Sequence, residues 1–141
     1  MDLTAFLAEN AVKIENQKTV VSKRFLDSKK QPIEWEYKAI TCDEESELRK
    51  ACTRRVPIAG KKGQFTVETD YDEYLARLAS ACTVYPDLQN AELQDSYKVK
   101  TPQALIRAML VGGEYTEYLQ KIQAINGFDT DFQEKVEESK N

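Results

Sequence analysis

The stretch Asp70-Tyr71-Asp72-Glu73-Tyr74-Leu75-Ala76-Arg77-Leu78-Ala79-Ser80-Ala81-Cys82 decides the architecture of this chain. Tyr71, Tyr74, Leu75, Leu78 and Cys82 recur at i, i+3, i+4, i+7 and i+11, the spacing of one apolar face of an α-helix. Asp70 suits the N-cap, since its carboxylate accepts from the unpaired amides of the first turn, and Asp72 and Glu73 sit at the positive end of the helix dipole. Ala76, Ala79, Ser80 and Ala81 are small enough to let a second helix come close. Pro86 is expected to stop this helix.

Downstream the helical pattern continues. A short segment from Asn90 to Tyr97 precedes Thr101-Pro102, an N-cap followed by Pro at the first helical position. Leu105, Ile106, Met109 and Leu110 give the next helix a broad apolar face, and Gly112-Gly113 is expected to end it. Tyr115, Tyr118, Leu119, Ile122 and Ile125 mark a further helix. Asn126-Gly127-Phe128 reads as its stop, with Phe128 folded back on the last turn. From Thr130 the chain is acidic, and Phe132 and Val136 mark a final, partly detached helix.

Upstream the period changes from helical to two. Ile33, Trp35, Tyr37 and Ala39 alternate with polar residues and share one face of a strand. Val20 to Leu26 is a second strand candidate, and Asp27-Ser28-Lys29-Lys30-Gln31-Pro32 between them is turn chemistry. The pattern predicts a β-hairpin, with Arg24 across from Glu34 or Glu36. Leu3, Phe6 and Leu7 have the spacing of a short N-terminal helix. Thr41 and Glu44 form a capping box, followed by an apolar stripe of Leu48, Ala51 and Cys52 that ends near Arg54-Arg55. Val56 to Val67, with Pro57, Gly60 and Gly63, is an exposed loop or a loose hairpin. The expected fold is α+β, an N-terminal β-hairpin packed on a mainly α-helical bundle. One domain over 1–141 is expected: helix, hairpin, helix and basic loop in 1–63, the helical part in 64–128, and an acidic tail in 129–141.

Composition narrows the function classes. The chain has no His, which removes the commonest general base and the most frequent zinc ligand. Cys42, Cys52 and Cys82 are ten and thirty residues apart, unlike metal-ligand pairs. An odd number without CxxC fits reduced thiols in a cytoplasmic protein. Gly60-Lys61-Lys62-Gly63 lacks the spacing and the Lys-Ser/Thr ending of a phosphate loop. No apolar run approaches the roughly 20 residues that cross a bilayer, and the first ten residues lack a signal-peptide pattern. No catalytic residue, cofactor or metal ligand is expected. With 31% charged residues and a mean hydropathy of −0.60, the core is lean. Part of the stability is therefore expected from a partner or from self-association.

Charge is distributed unevenly. Arg49, Lys50, Arg54, Arg55, Lys61 and Lys62 fall between Arg49 and Gly63 with no acidic residue among them. The rest carries 14 basic and 24 acidic groups, so +6 stands against −10. Such a patch recruits an acidic partner or another copy of the chain, and surface charge of this kind also keeps a protein soluble. The candidate interaction residues are Arg54, Arg55, Lys61 and Lys62, with Tyr85 and Tyr97 as half-wet anchors at segment ends and Phe132 and Val136 in the tail. The four basic residues are expected to dock on Asp129 to Glu138 of another copy. The alternative is a nucleic-acid-associated regulator using residues 49–62, with Phe65 and Tyr71 nearby. A pI of about 5.0 and the lack of a recognition-helix pattern count against it.

A series of short motifs then gains meaning from its order. Val21-Ser22-Lys23-Arg24-Phe25, Pro32-Ile33-Glu34-Trp35-Glu36, Leu48-Arg49-Lys50-Ala51-Cys52 and Asp70-Tyr71 come first. Tyr85-Pro86-Asp87-Leu88, Ala91-Glu92-Leu93-Gln94-Asp95-Ser96-Tyr97, Gly113-Glu114-Tyr115 and Ile125-Asn126-Gly127-Phe128 follow. This collinear set resembles the XkdN-like phage tail assembly chaperones across almost the whole chain. The departure is Lys98, where Gly is expected; a turn with positive φ there would strain a lysine. The resemblance implies a non-enzymatic protein that binds the tape measure protein, keeps its long helices soluble and helps recruit tail tube subunits. It also implies action in the host cytoplasm and absence from the finished particle. The family has no catalytic motif to carry over.

Overall fold

The computed structural model describes residues 2–128. Its sheet is built from β1 (Gln17–Thr19), β2 (Trp35–Tyr37) and β5 (Thr83–Tyr85), and a separate ribbon from β3 (Thr53–Pro57) and β4 (Phe65–Thr69). The helices are α1 (Cys42–Ala51), α2 (Tyr71–Cys82), α3 (Ala91–Ser96), α4 (Pro102–Met109) and α5 (Gly112–Ile125). The architecture is α+β, with an N-terminal hairpin against a mainly helical body. The expected tail helix around Phe132 and Val136 lies outside the described residues.

Local signals place most helices. Thr41 and Glu44 close a reciprocal capping box on α1, Thr41 Oγ1 accepting from the Glu44 amide at 3.2 Å and Glu44 Oε1 from the Thr41 amide at 3.2 Å. Asp70, Asn90 and Thr101 cap α2, α3 and α4 through their side chains. Gly127, at φ 85°, ends α5, with the Phe128 amide donating to Gln123 O at 3.0 Å. That is the six-to-one bond of a glycine stop.

Several boundaries differ from expectation. α2 does not run to Pro86 but yields to β5 at Thr83, because β5 pairs with β2 and completes a three-stranded sheet in the order β1-β2-β5. Gly112-Gly113 opens α5 rather than ending α4, whose C-cap is Leu110. Glu114 reaches back to the Val111 amide at 3.0 Å, which starts a helix despite the two glycines. The N-terminal helix reduces to a 3-10 turn, Thr4–Phe6, with no buried residue. A single turn without a packed face has nothing to offset its ordering entropy.

The hairpin forms with a shifted first strand. Gln17, Lys18 and Thr19 pair with Tyr37, Glu36 and Trp35, whereas Val20 to Arg24 leaves the ladder and buries Val21 and Ser22. Pairing resumes beyond it, with the Ile33 amide donating to Phe25 O at 2.9 Å, and Asp27 Oδ1 caps the turn by accepting from Lys29 and Gln31. Arg24 consequently does not face Glu34 or Glu36. Its Nη2 donates to Glu114 and to Met109 O, both at 2.7 Å, and so ties the hairpin to the start of α5.

The core lies where β2 meets α2, α4 and α5. Trp35 and Tyr37 point inward from β2, and the Tyr118 ring stands edge-on to both at 5.4 and 5.8 Å. The Tyr118 hydroxyl shares a 2.7 Å hydrogen bond with Thr83, so its polar end is satisfied. Leu78, Leu105, Ile106 and Ile122 fill the space around them and are fully buried. Leu48 packs at the margin, whereas Ala51 of the expected α1 stripe faces solvent.

Candidate interaction site

Among the described residues, β3 and β4 form one part of the molecule that the core does not use. Five residue pairs run from Thr53↔Thr69 to Pro57↔Phe65, so the open alternative for 56–67 resolves as a hairpin. Its base is fastened by the Asp70 amide donating to Cys52 O at 2.8 Å, and by a 2.8 Å hydrogen bond between the Thr53 and Thr69 hydroxyls. Its tip holds two successive turns, Lys61 N to Ile58 O and Gln64 N to Lys61 O, each 3.1 Å. Gly60 and Gly63 occupy the third position of each at φ 77° and 78°, the conformation that a type II turn reserves for Gly.

The strand period sorts the ribbon into two faces. One face carries Arg55, Pro57, Phe65 and Val67; the other carries Arg54, Val56, Thr66 and Glu68. The Arg55 guanidinium lies 4.5 Å from the centroid of the Phe65 ring, a cation–π contact at the surface. Val67 is 66% exposed, and no residue of either strand is buried.

The six basic residues divide by environment. Arg49 pairs with Glu45 at 2.8 Å and Lys50 with Glu47 at 3.6 Å, both along α1. Arg54 faces Glu68 across the ribbon. Arg55, in the middle of β3, and Lys61 and Lys62, at the tip, make no ion pair among the described residues. Three of the four expected ribbon cations are thus without an ion pair among the described residues, and the fourth has Glu68 as its cross-strand partner. The structure does not bring the tyrosines to them. Tyr85, 54% exposed, lies on the sheet opposite Glu36. Tyr97 is half-buried at the end of α3 and packs on the core. Phe132 and Val136 lie outside the described residues.

The small-residue stripe of α2 is occupied from within. Ala76 and Ala79 are fully buried, and α2 packs against α4, α1 and α5. A second helix does approach closely there, and it belongs to this chain.

A second surface went unrecognised in the sequence. From Asp2 to Lys18 every residue is exposed, including Leu3, Phe6, Leu7, Val12 and Ile14. Phe6 is 81% and Val12 96% exposed. The helical spacing of Leu3, Phe6 and Leu7 was the visible signal, but it marks an apolar arm rather than a packed helix.

Hydrogen bonding and burial set the titrating groups that depart furthest from their ordinary values. Hydrogen bonds from Arg24, then from the Ser22 hydroxyl, then from the Val111 amide hold the Glu114 carboxyl down to about 2. Burial pushes the Cys82 thiol up to about 11 and the Tyr115 hydroxyl up to about 12. Among the described residues no group of three His, Cys, Asp or Glu is placed to hold a metal ion, and no helix is long and apolar enough to cross a membrane.

Comparison with known proteins gives this arrangement a family. A model described as phage XkdN-like tail assembly chaperone protein matches residues 3–140. The YqbN protein of Bacillus subtilis (strain 168) is 36% identical over 141 residues, covering 99% of this chain and 93% of its own length. The XkdN protein of the phage-like element PBSX from the same organism is also 36% identical, covering 99% of this chain and 94% of its own. The crystal structure of the YqbN protein superposes with a TM-score of 0.76 at 34% identity, over 92% of this chain and 98% of that one. The chain belongs to the XkdN-like family of phage tail assembly chaperones.

Proposed function

We propose that this protein is a non-enzymatic chaperone that binds the tape measure protein, keeps its amphipathic helices in solution and helps bring tail tube subunits to it. On this reading it works in the cytoplasm of the bacterial host and is left out of the finished particle. Family membership supports the coarse role. The observation that carries the finer one is the N-terminal arm, whose Leu3, Phe6, Leu7, Val12 and Ile14 stay outside the core.

Leaving large apolar side chains in water is unfavourable, at about 25 cal/mol per Å² of area that a partner would cover. An arm of this kind suits an apolar stripe on a long helix, which is what a tape measure protein would offer. Nothing in the arm is arranged for catalysis. The decisive experiment is co-expression with the tape measure protein of the same tail operon, followed by tag pull-down and light scattering. The expected result is a soluble complex of fixed stoichiometry that Phe6→Ser with Val12→Ser disrupts. A tape measure protein that stays insoluble and unbound beside a well-folded partner would end this reading.

A further inference from the structure

The ribbon of β3 and β4 is unusual for what it lacks. It is attached to the body at Cys52 and Asp70, and its strands pack extensively only on each other. A two-stranded hairpin is marginally stable in water by itself. This one nevertheless exposes Phe65 and Val67 and carries Arg55, Lys61 and Lys62 without carboxylate partners among the described residues. An apolar patch rimmed by free cations calls for a ligand that is acidic and apolar together.

The chain itself contains such a segment. Asp129-Thr130-Asp131-Phe132-Gln133-Glu134-Lys135-Val136-Glu137-Glu138 holds five carboxylates, one lysine and two large apolar residues. We propose that the Arg55–Phe65 face of the ribbon binds residues 129–138 of a second copy of this chain. The carboxylates meet Arg55, Lys61 and Lys62, while Phe132 and Val136 cover Phe65 and Val67.

Geometry favours the second copy over the same one. Asn126, close to the root of the segment, contacts Cys82 Sγ at 3.4 Å and the Ile40 amide at 2.9 Å, at the C-terminal end of α2. The ribbon leaves from Asp70, at the other end of a 12-residue helix, which spans about 18 Å. Counted from Asn126, residue 129 reaches at most about 10 Å and residue 131 about 17 Å, so the first two carboxylates extend at best to the ribbon base. Within one chain only the last few carboxylates would arrive. A second copy can lay the whole segment along the ribbon. This contact is independent of the client, whose proposed seat is the N-terminal arm.

The test is sedimentation velocity on the full chain and on two charge-reversed variants. One carries R55E, K61E and K62E; the other carries Glu134→Lys, Glu137→Lys and Glu138→Lys. The wild type is expected to self-associate, and each variant alone to lose affinity by about ten-fold or more. High salt should weaken the wild-type association in the same direction. Mixing the two variants should restore association, since each then offers the other a complementary partner. The ribbon positions are exposed, so an unchanged unfolding midpoint for that variant separates lost docking from lost folding. A wild type that is monomeric at all concentrations, or variants that associate like the wild type, would overturn the proposal. So would salt-sensitive binding of mixed DNA or RNA that R55E, K61E and K62E abolish without any change in association.

Discussion

The Tyr74 hydroxyl donates a 2.6 Å hydrogen bond to Glu45, which in turn holds Arg49 at 2.8 Å. Tyr74 is buried on α2 and Glu45 lies one turn into α1, so this bond locks the two helices in register just below the ribbon. Burial first, and then this bond, raise the Tyr74 phenol well above its ordinary value, so it remains a donor across the physiological range. Tyr74→Phe is expected to destabilise the protein by about 1–2 kcal/mol, the loss of a bond to a charged acceptor. Urea unfolding should show a lower midpoint with an unchanged slope.

Tyr115 presents the opposite case. Its hydroxyl is buried with no hydrogen-bond partner among the described residues, although the ring packs against the core. Tyr115→Phe removes a desolvated polar atom and keeps the ring. The expected outcome is a gain of about 1 kcal/mol, read from the same urea titration. A loss of stability would mean that the hydroxyl has a bound partner in solution.

The carboxyl of Glu114 sets an acid limit on the junction of hairpin and α5. Its ordinary value is 4.5 and the folded value is about 2, with Arg24 the main cause. Because the folded value is depressed, its contribution is complete above 4.5 and fades as pH falls toward 2. Glu114→Gln should therefore lower the unfolding midpoint at neutral pH. The gap from wild type should close on acidification through that window, followed by circular dichroism.

Lys98 stands at φ 60°, a left-handed position that costs a side-chain-bearing residue about 1–2 kcal/mol. Lys98→Gly relieves this strain and returns part of the gain through a freer unfolded chain. A net stabilisation of up to about 1 kcal/mol is expected. A scanning measurement of Tm should show a rise of about 2–4 °C.

The parts of this fold legible in the sequence are those set within a few residues. Thr41 with Glu44, Asp70, Thr101 with Pro102, and Gly127 each specify a helix end through bonds to their near neighbours. The positive φ at Lys98 is legible only through the family resemblance, which sets Gly at that position. The strands were harder. Gln17–Thr19 becomes β1 although Val20–Leu26 has the stronger strand composition, because pairing with β2 and burial of Val21 outweigh propensity. β5 is three residues long and needs β2 beside it to exist, so nothing local marks Thr83–Tyr85 as a strand ahead of Pro86. At the ribbon the charges were plain, yet the stacking of Arg55 on Phe65 depends on a register that the two tip turns impose. The arm is hard to read for a related reason: Leu3, Phe6 and Leu7 have helical spacing but no surface on which to pack.

The pairing of β2 with β5 closes residues 38–82, ribbon included, into one long excursion from the sheet. The entropy of closing such an excursion grows only with the logarithm of its length. The tip is closed by β3 and β4 into a loop of residues 58–64, and inserting about four residues there should cost roughly 0.4 kcal/mol. Lengthening, shortening or recharging the ribbon leaves the Trp35–Tyr118 core untouched. Changes in this segment thus carry little risk to foldability, and related chains are expected to diverge there in length and charge first.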